Sequence, residues 1–140
     1  MIQRTQTLWL LFVSILGLTS LKTSFYSGHR INDAAKTMNF VNGSYSFFLT
    51  VATTAVVFIS LINIFLYKNR KLQIRLGIVT FIISILTLLL YYWQSKSFIA
   101  AESSYDLTSV IPMVIPVLLI LAIRGIWKDE RLIKSSDRLR

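Results

Sequence analysis

Lys68-Asn69-Arg70-Lys71-Leu72-Gln73-Ile74-Arg75 places four cations within eight positions, near the middle of a chain of 140 residues. Long runs flank it. Thr37 to Tyr67 upstream contains no Lys, Arg, Asp or Glu, and Leu76 to Ser95 downstream contains none either. A connection this short and this basic does not cross a bilayer, so it folds the two apolar runs into a hairpin. Basic connections of this length stay on the cytoplasmic side. Every other segment is then assigned a side.

Composition agrees with lipid as the solvent. The chain is 54% hydrophobic and 15% charged, with a mean hydropathy of +0.63. A soluble domain carries about a quarter charged residues. The apolar residues lie in unbroken runs without a clear polar face. No cysteine is present, which excludes disulfides and thiolate chemistry. The net charge of +9 must be divided between two sides of a membrane before it says anything about partners.

The expected fold is all-α: a polytopic membrane protein with four transmembrane helices in a left-handed-type bundle and a cytoplasmic C-terminal helical tail. The basic start Met1 to Arg4 and the uncharged run after it look like a signal peptide, but no convincing cleavage site follows, so a retained first span is expected. The membrane domain covers residues 1–127, with spans at about 5–24, 44–67, 72–95 and 107–127. Lys22 would snorkel to the interface at the end of the first. External loops fall at 25–43, with a short helix over Asn32 to Met38, and at 96–106; the charged tail is 128–140.

Two counts support this layout. Trp9, Phe65, Tyr67 and Trp127 fall near the inner surface, and Tyr26, Tyr45, Tyr91, Tyr92, Trp93 and Tyr105 near the outer one, the two belts that amphipathic rings prefer. Arg4, Lys68, Arg70, Lys71, Arg75, Arg124, Lys128, Arg131, Lys134, Arg138 and Arg140 make eleven inner cations. Lys22, Arg30, Lys36 and Lys96 make four outer ones, which puts both termini in the cytoplasm.

Inside the spans, small and hydroxylated residues recur at steps of three and four. Gly77, Thr80, Ser84 and Thr87 lead to Tyr91 in the third; Ser46, Thr50, Thr53 and Ser60 mark the second; Thr7, Ser14 and Gly17 mark the first. Such faces let helices approach closely and hydrogen-bond across the gap. A polar translocation path is the less favoured reading, because hydroxyls can also bond their own helix's carbonyls. Pro112 and Pro116, one turn apart, predict a bend or a late start in the fourth span.

No constellation carries a reaction. Every ionisable residue lies in a loop, a tail or within a turn of an interface, which argues against proton-coupled export. Asn63 is the most polar residue inside a span and is expected to reach the interface beside Tyr67. A single histidine, His29, cannot build a metal cluster, and Glu102 with Asp106 reads as a solvated face. There is no phosphate loop and no nucleophile elbow. No enzyme activity, cofactor, metal or small-molecule substrate is expected.

The tail carries more. Ile126, Leu132, Ile133 and Leu139 fall within about 140° on a helix, with most cations elsewhere, and Glu130 with Lys134 is a favourable i,i+4 pair. Such a helix could rest on anionic lipid, dock on a protein, touch ribosomal or other RNA, or act only as a stop signal. Asp129-Glu130 interrupts the basic run, which favours a shaped protein interface over simple phosphate binding.

Both ends also carry a resemblance. Met1-Ile2-Gln3-Arg4-Thr5-Gln6-Thr7-Leu8-Trp9-Leu10-Leu11 and the stretch from Leu121-Ala122-Ile123-Arg124-Gly125-Ile126-Trp127-Lys128-Asp129-Glu130 through Arg140 resemble the opening and closing motifs of an uncharacterised Bacteroidota family of four-span inner-membrane proteins, domain of unknown function number 4293. The resemblance implies a bacterial inner membrane and four helices, and it assigns no activity. It singles out Gln3, Arg4, Arg124, Lys128, Asp129, Glu130, Asp137 and Arg138; with Arg131 and Lys134 these make up the expected partner-binding surface. The expected role is a non-catalytic accessory or scaffold subunit of a larger inner-membrane complex, a protein-export machine with its ribosome being one example. The alternative is a small oligomeric channel or transporter using the hydroxyl-lined faces.

Overall fold

The computed structural model describes residues 5–30, 37–67, 69–99 and 103–137, with 132–137 as backbone only. It is mostly helical. Four helices follow the apolar runs: α1 (Thr5–Ser20), α2 (Phe47–Phe65), α3 (Arg70–Ser95) and α4 (Val110–Asp137). Each packs mainly on two neighbours, α1 and α3 both lying against α2 and α4, so the four close into a ring. Ser46 caps α2, its side chain accepting from the Leu49 amide.

Boundaries differ from expectation at three places. The helix α1 stops at Ser20, four residues early, and the chain turns at once into a strand. The basic stretch is mostly helix: Arg70 to Arg75 form the start of α3, so the cations sit at the end where the helix dipole disfavours them, an offset of about 0.3–1 kcal/mol per charge. The described part of the tail, Lys128 to Asp137, continues α4, a helix of 28 residues. That helix starts late, after a 3-10 turn at Leu107–Ser109. Pro112 therefore lies in its first turn, where a missing N–H costs nothing, and Pro116 lies inside it.

The connections on one side of the bundle are not loops. Strands β1 (Ser24–His29), β2 (Met38–Asn42) and β3 (Ser104–Tyr105) form an antiparallel sheet with β1 in the middle. An all-α fold is thus corrected to a helical bundle carrying a small sheet. Of the helix expected over Asn32 to Met38, residues 32–36 lie outside the described residues, and Met38 itself begins β2. The sheet forms because Phe25, Tyr26, Phe40, Val41 and Tyr105 favour extended backbone, and its inward side chains cover the bundle's open end. Phe25, Tyr26 and Val41 bury themselves with Leu49, Tyr91 and Phe98. Phe25 stacks on Tyr91 at 4.6 Å between centroids, and Tyr26 meets Phe98 edge-on at 5.5 Å. Tyr91 is fully buried there, so it and Tyr26 are cluster residues rather than parts of an interfacial belt.

A second cluster, Leu10, Val13, Val56, Ile115, Leu119 and Ala122, fills the middle of the bundle. Outside, the helices are apolar. On α3 the polarity is inverted: Gln73, Gly77, Thr80, Ser84, Thr87 and Tyr91 face inward, while Ile78, Val79, Ile82, Leu86 and Leu89 are exposed. A helix with its apolar face outward is compatible with lipid as surroundings. Among the described residues, three helical segments are long and apolar enough to cross a membrane: Phe47–Phe65, Arg70–Ser95 and Leu107–Arg131. The helix α1 is apolar but shorter, 16 residues.

Candidate functional site

Three layers of polar chemistry line the bundle from the sheet to the far end of α4. Nearest the sheet are the hydroxyls. Thr53, Ser60, Thr80, Ser84 and Thr87 are buried, Thr50 is half-buried, and Ser46 is spent on its cap. Most bond their own helix: Thr50 to the Ser46 carbonyl, Thr53 to Leu49, Thr80 to Leu76, Ser84 to Phe81 and Thr87 to Ile83, at 2.6–2.9 Å. With their protons committed, these side chains act across the gap by being small. Between helices, Tyr91 Oη lies 3.4 Å from Ser20 Oγ. Ser20, Thr53, Ser84 and Thr87 border a cavity of about 10 Å³, about the space one water needs.

Glycines let the helices meet along this seam. A Cβ at Gly17 would stand 2.5 Å from Val57 Cγ2, and one at Gly77 would stand 3.0 Å from Ile123 Cγ1. Gly125 is close to Gln6 in the same way, at 3.3 Å from its Cβ.

The second layer is at the opposite end from the sheet. Gln6 of α1, Asn63 of α2 and Gln73 of α3 are 2%, 0% and 1% exposed. The close approaches of Gly125 to Gln6, and of Gly77 to Asn63 and Ile123, put them at one level of the bundle. Gln73 Nε2 donates to the Asn63 carbonyl at 3.1 Å. Gln6 Oε1, Gln73 Oε1, both polar atoms of the Asn63 side chain and Ser60 Oγ are buried without a hydrogen-bond partner among the described residues. Asn63 does not reach an interface; its burial corrects that expectation. Gln6 and Gln73 are the residues that sequence reasoning missed. Their signal was present, since each is polar and at the inward spacing of its helix, but both adjoin cation-rich ends and read as surface.

The third layer is the end of α4. Arg124, Trp127, Lys128 and Arg131 are exposed and, with Gly125, line an open groove of about 470 Å³. The Arg131 guanidinium lies 5.7 Å from the centre of the Trp127 ring. Asp129 and Glu130 are half-buried and engaged in interactions of their own. At about 100° per residue, Arg124, Lys128 and Arg131 fall within about 60° of each other, while both acids are more than 100° or so from their centre. The interruption of the basic run is one of sequence and not of surface. Of the other residues expected on this surface, Lys134 and Asp137 lie on the backbone of α4, and Gln3, Arg4 and Arg138 are outside the described residues. Glu102 is also outside them, while Asp106 Oδ1 accepts from Ser27 Oγ at 2.8 Å.

A mostly helical bundle with outward-facing apolar helices, three of them long enough to cross a membrane, is compatible with a membrane protein. Within that class the chain belongs to the family described as a domain of unknown function, DUF4293, whose model matches residues 2–139. No curated protein and no solved structure matches the chain.

Proposed function

We propose that this protein is a non-catalytic accessory or scaffold subunit of a larger bacterial inner-membrane complex, with four spans and both ends in the cytoplasm. The observation that carries the reading is the length of α4. Its 28 residues extend about 42 Å at 1.5 Å per residue, against a hydrocarbon core of about 30 Å. A rigid helix then projects from the membrane, presenting charged side chains where a partner can meet them. The excess of basic residues at the α2–α3 connection and the α4 end supports a cytoplasmic position for both. The helix α1, about 24 Å long, spans a membrane with Lys22 snorkelling to the interface.

Packing weighs against conduction through a single chain. The hydroxyls are bonded to their own backbones, and the cavity among them holds about one water. What the bundle offers a neighbour is surface. An inner-membrane protein would cover the exposed apolar sides, and a soluble assembly such as a ribosome would be met by the end of α4.

The test is affinity purification of the full chain in mild detergent beside a variant ending at Trp127. A stoichiometric protein recovered with the full chain and lost with the shortened one supports the reading. A homo-oligomer without other proteins, identical in both, supports the channel alternative instead.

A further inference from the structure

We propose that the groove on the outward face of α4 binds the phosphate headgroup of one anionic phospholipid, with its acyl chains lying along the same helix. The inference rests on α4 being a membrane span. Leu107 to Ile123 carries no charged residue, so Arg124 is the first charge below a continuous apolar run. Around the helix, exposed Met113, Val117 and Ile120 fall within about 60° of the centre of the Arg124, Lys128 and Arg131 cluster. The core-facing side chains Ile115, Leu119, Ala122 and Ile126 lie on the opposite side.

One face of α4 is thus apolar over three turns and then cationic over two, the shape and polarity of a phospholipid. Free phosphate would have no use for the apolar part. Arginine presents a planar fork that suits phosphate oxygens, and the Trp127 ring holds one such fork, Arg131, against the groove. Asp129 and Glu130 are turned away, so among the described side chains no carboxylate opposes the phosphate from this face.

The full-length protein, delipidated in detergent, is titrated with phosphatidylglycerol or phosphatidylcholine and the bound lipid counted by native mass spectrometry. One phosphatidylglycerol per chain is expected, with little retention of phosphatidylcholine. Combining Arg124→Gln, Lys128→Gln and Arg131→Gln weakens it on the order of a hundredfold, from three headgroup contacts. Removing three cations elsewhere, by Lys22→Gln, Lys71→Gln and Arg75→Gln, leaves it unchanged, as does Asp129→Asn with Glu130→Gln. Millimolar inorganic phosphate does not displace the lipid. Equal loss in the two triple variants, tighter binding in the acid-free one, or displacement by phosphate would overturn the proposal. Resistance of the variants to carbonate extraction is measured alongside. Extraction of the wild type would refute α4 as a span, whereas a retained wild type without bound lipid refutes the groove alone.

Discussion

At Gly17 the first two helices come so close that a single added methyl would overlap Val57 Cγ2. Valine is stiff about χ1 and cannot yield without moving backbone. Gly17→Ala should therefore destabilise the bundle by about 1–3 kcal/mol, the usual cost of overpacking, read as a lower melting temperature in detergent. Ser84, 3% exposed, is limited in the same way. Ser84→Ala should be mild, since its hydroxyl bonds the Phe81 carbonyl of its own helix, and Ser84→Leu damaging. Leucine tolerated at Ser84 as well as alanine is at exposed Ile82 would contradict a close-packed seam. Asn63 runs the other way. Both of its side-chain polar atoms are buried without a partner among the described residues, and each such atom costs about 1–3 kcal/mol. Asn63→Leu should raise the melting temperature; a clear drop would mean that the amide is satisfied by bound water or a ligand.

At the scale of elements, the sheet is what joins the two connections on its side of the bundle. The strand β1 pairs with β2 and also with β3, where Tyr26 faces Tyr105 and Ser27 faces Ser104. Thr108 Oγ1 donates to the Ser24 carbonyl and Ile99 N to the His29 carbonyl, at 2.9 Å for the latter. Phe25 is the wedge between sheet and helices, stacked on Tyr91 and edge-on to Tyr105 at 5.7 Å. Phe25→Ala should cost about 3–5 kcal/mol and loosen the sheet before the helices. The expected readout is protease cleavage within 96–106 in a chain that stays membrane-inserted. Unchanged protease resistance would show that β3 is held without the wedge.

For the whole molecule, the helices were legible because charge is excluded from each apolar run, and a run of that length has one economical fold in lipid. The sheet was not legible. Gly28 and Asn42 read as loop residues, and β3 pairs with a strand nearly eighty residues earlier, a contact no local pattern announces. The hydroxyl spacing could be seen, but whether each proton crosses the gap or stays on its own helix depends on rotamers. The carboxamide layer depends on the register of three helices, which periodicity does not set. At the α4 end, charges were read in order along the chain, where Asp129-Glu130 breaks the run; on the helix the same residues leave the cationic face intact.

In the membrane arrangement proposed above, the α2–α3 connection and the end of α4 lie together on one side and the sheet on the other. The chain has no cysteine, so single cysteines can be placed one at a time at Asn69, Ser104 and Ser136 without a background. Labelling with an impermeant thiol reagent in intact spheroplasts should modify Ser104→Cys and spare Asn69→Cys and Ser136→Cys until the membrane is opened. Labelling of Asn69→Cys in intact spheroplasts, or of Ser136→Cys alone, would overturn this topology.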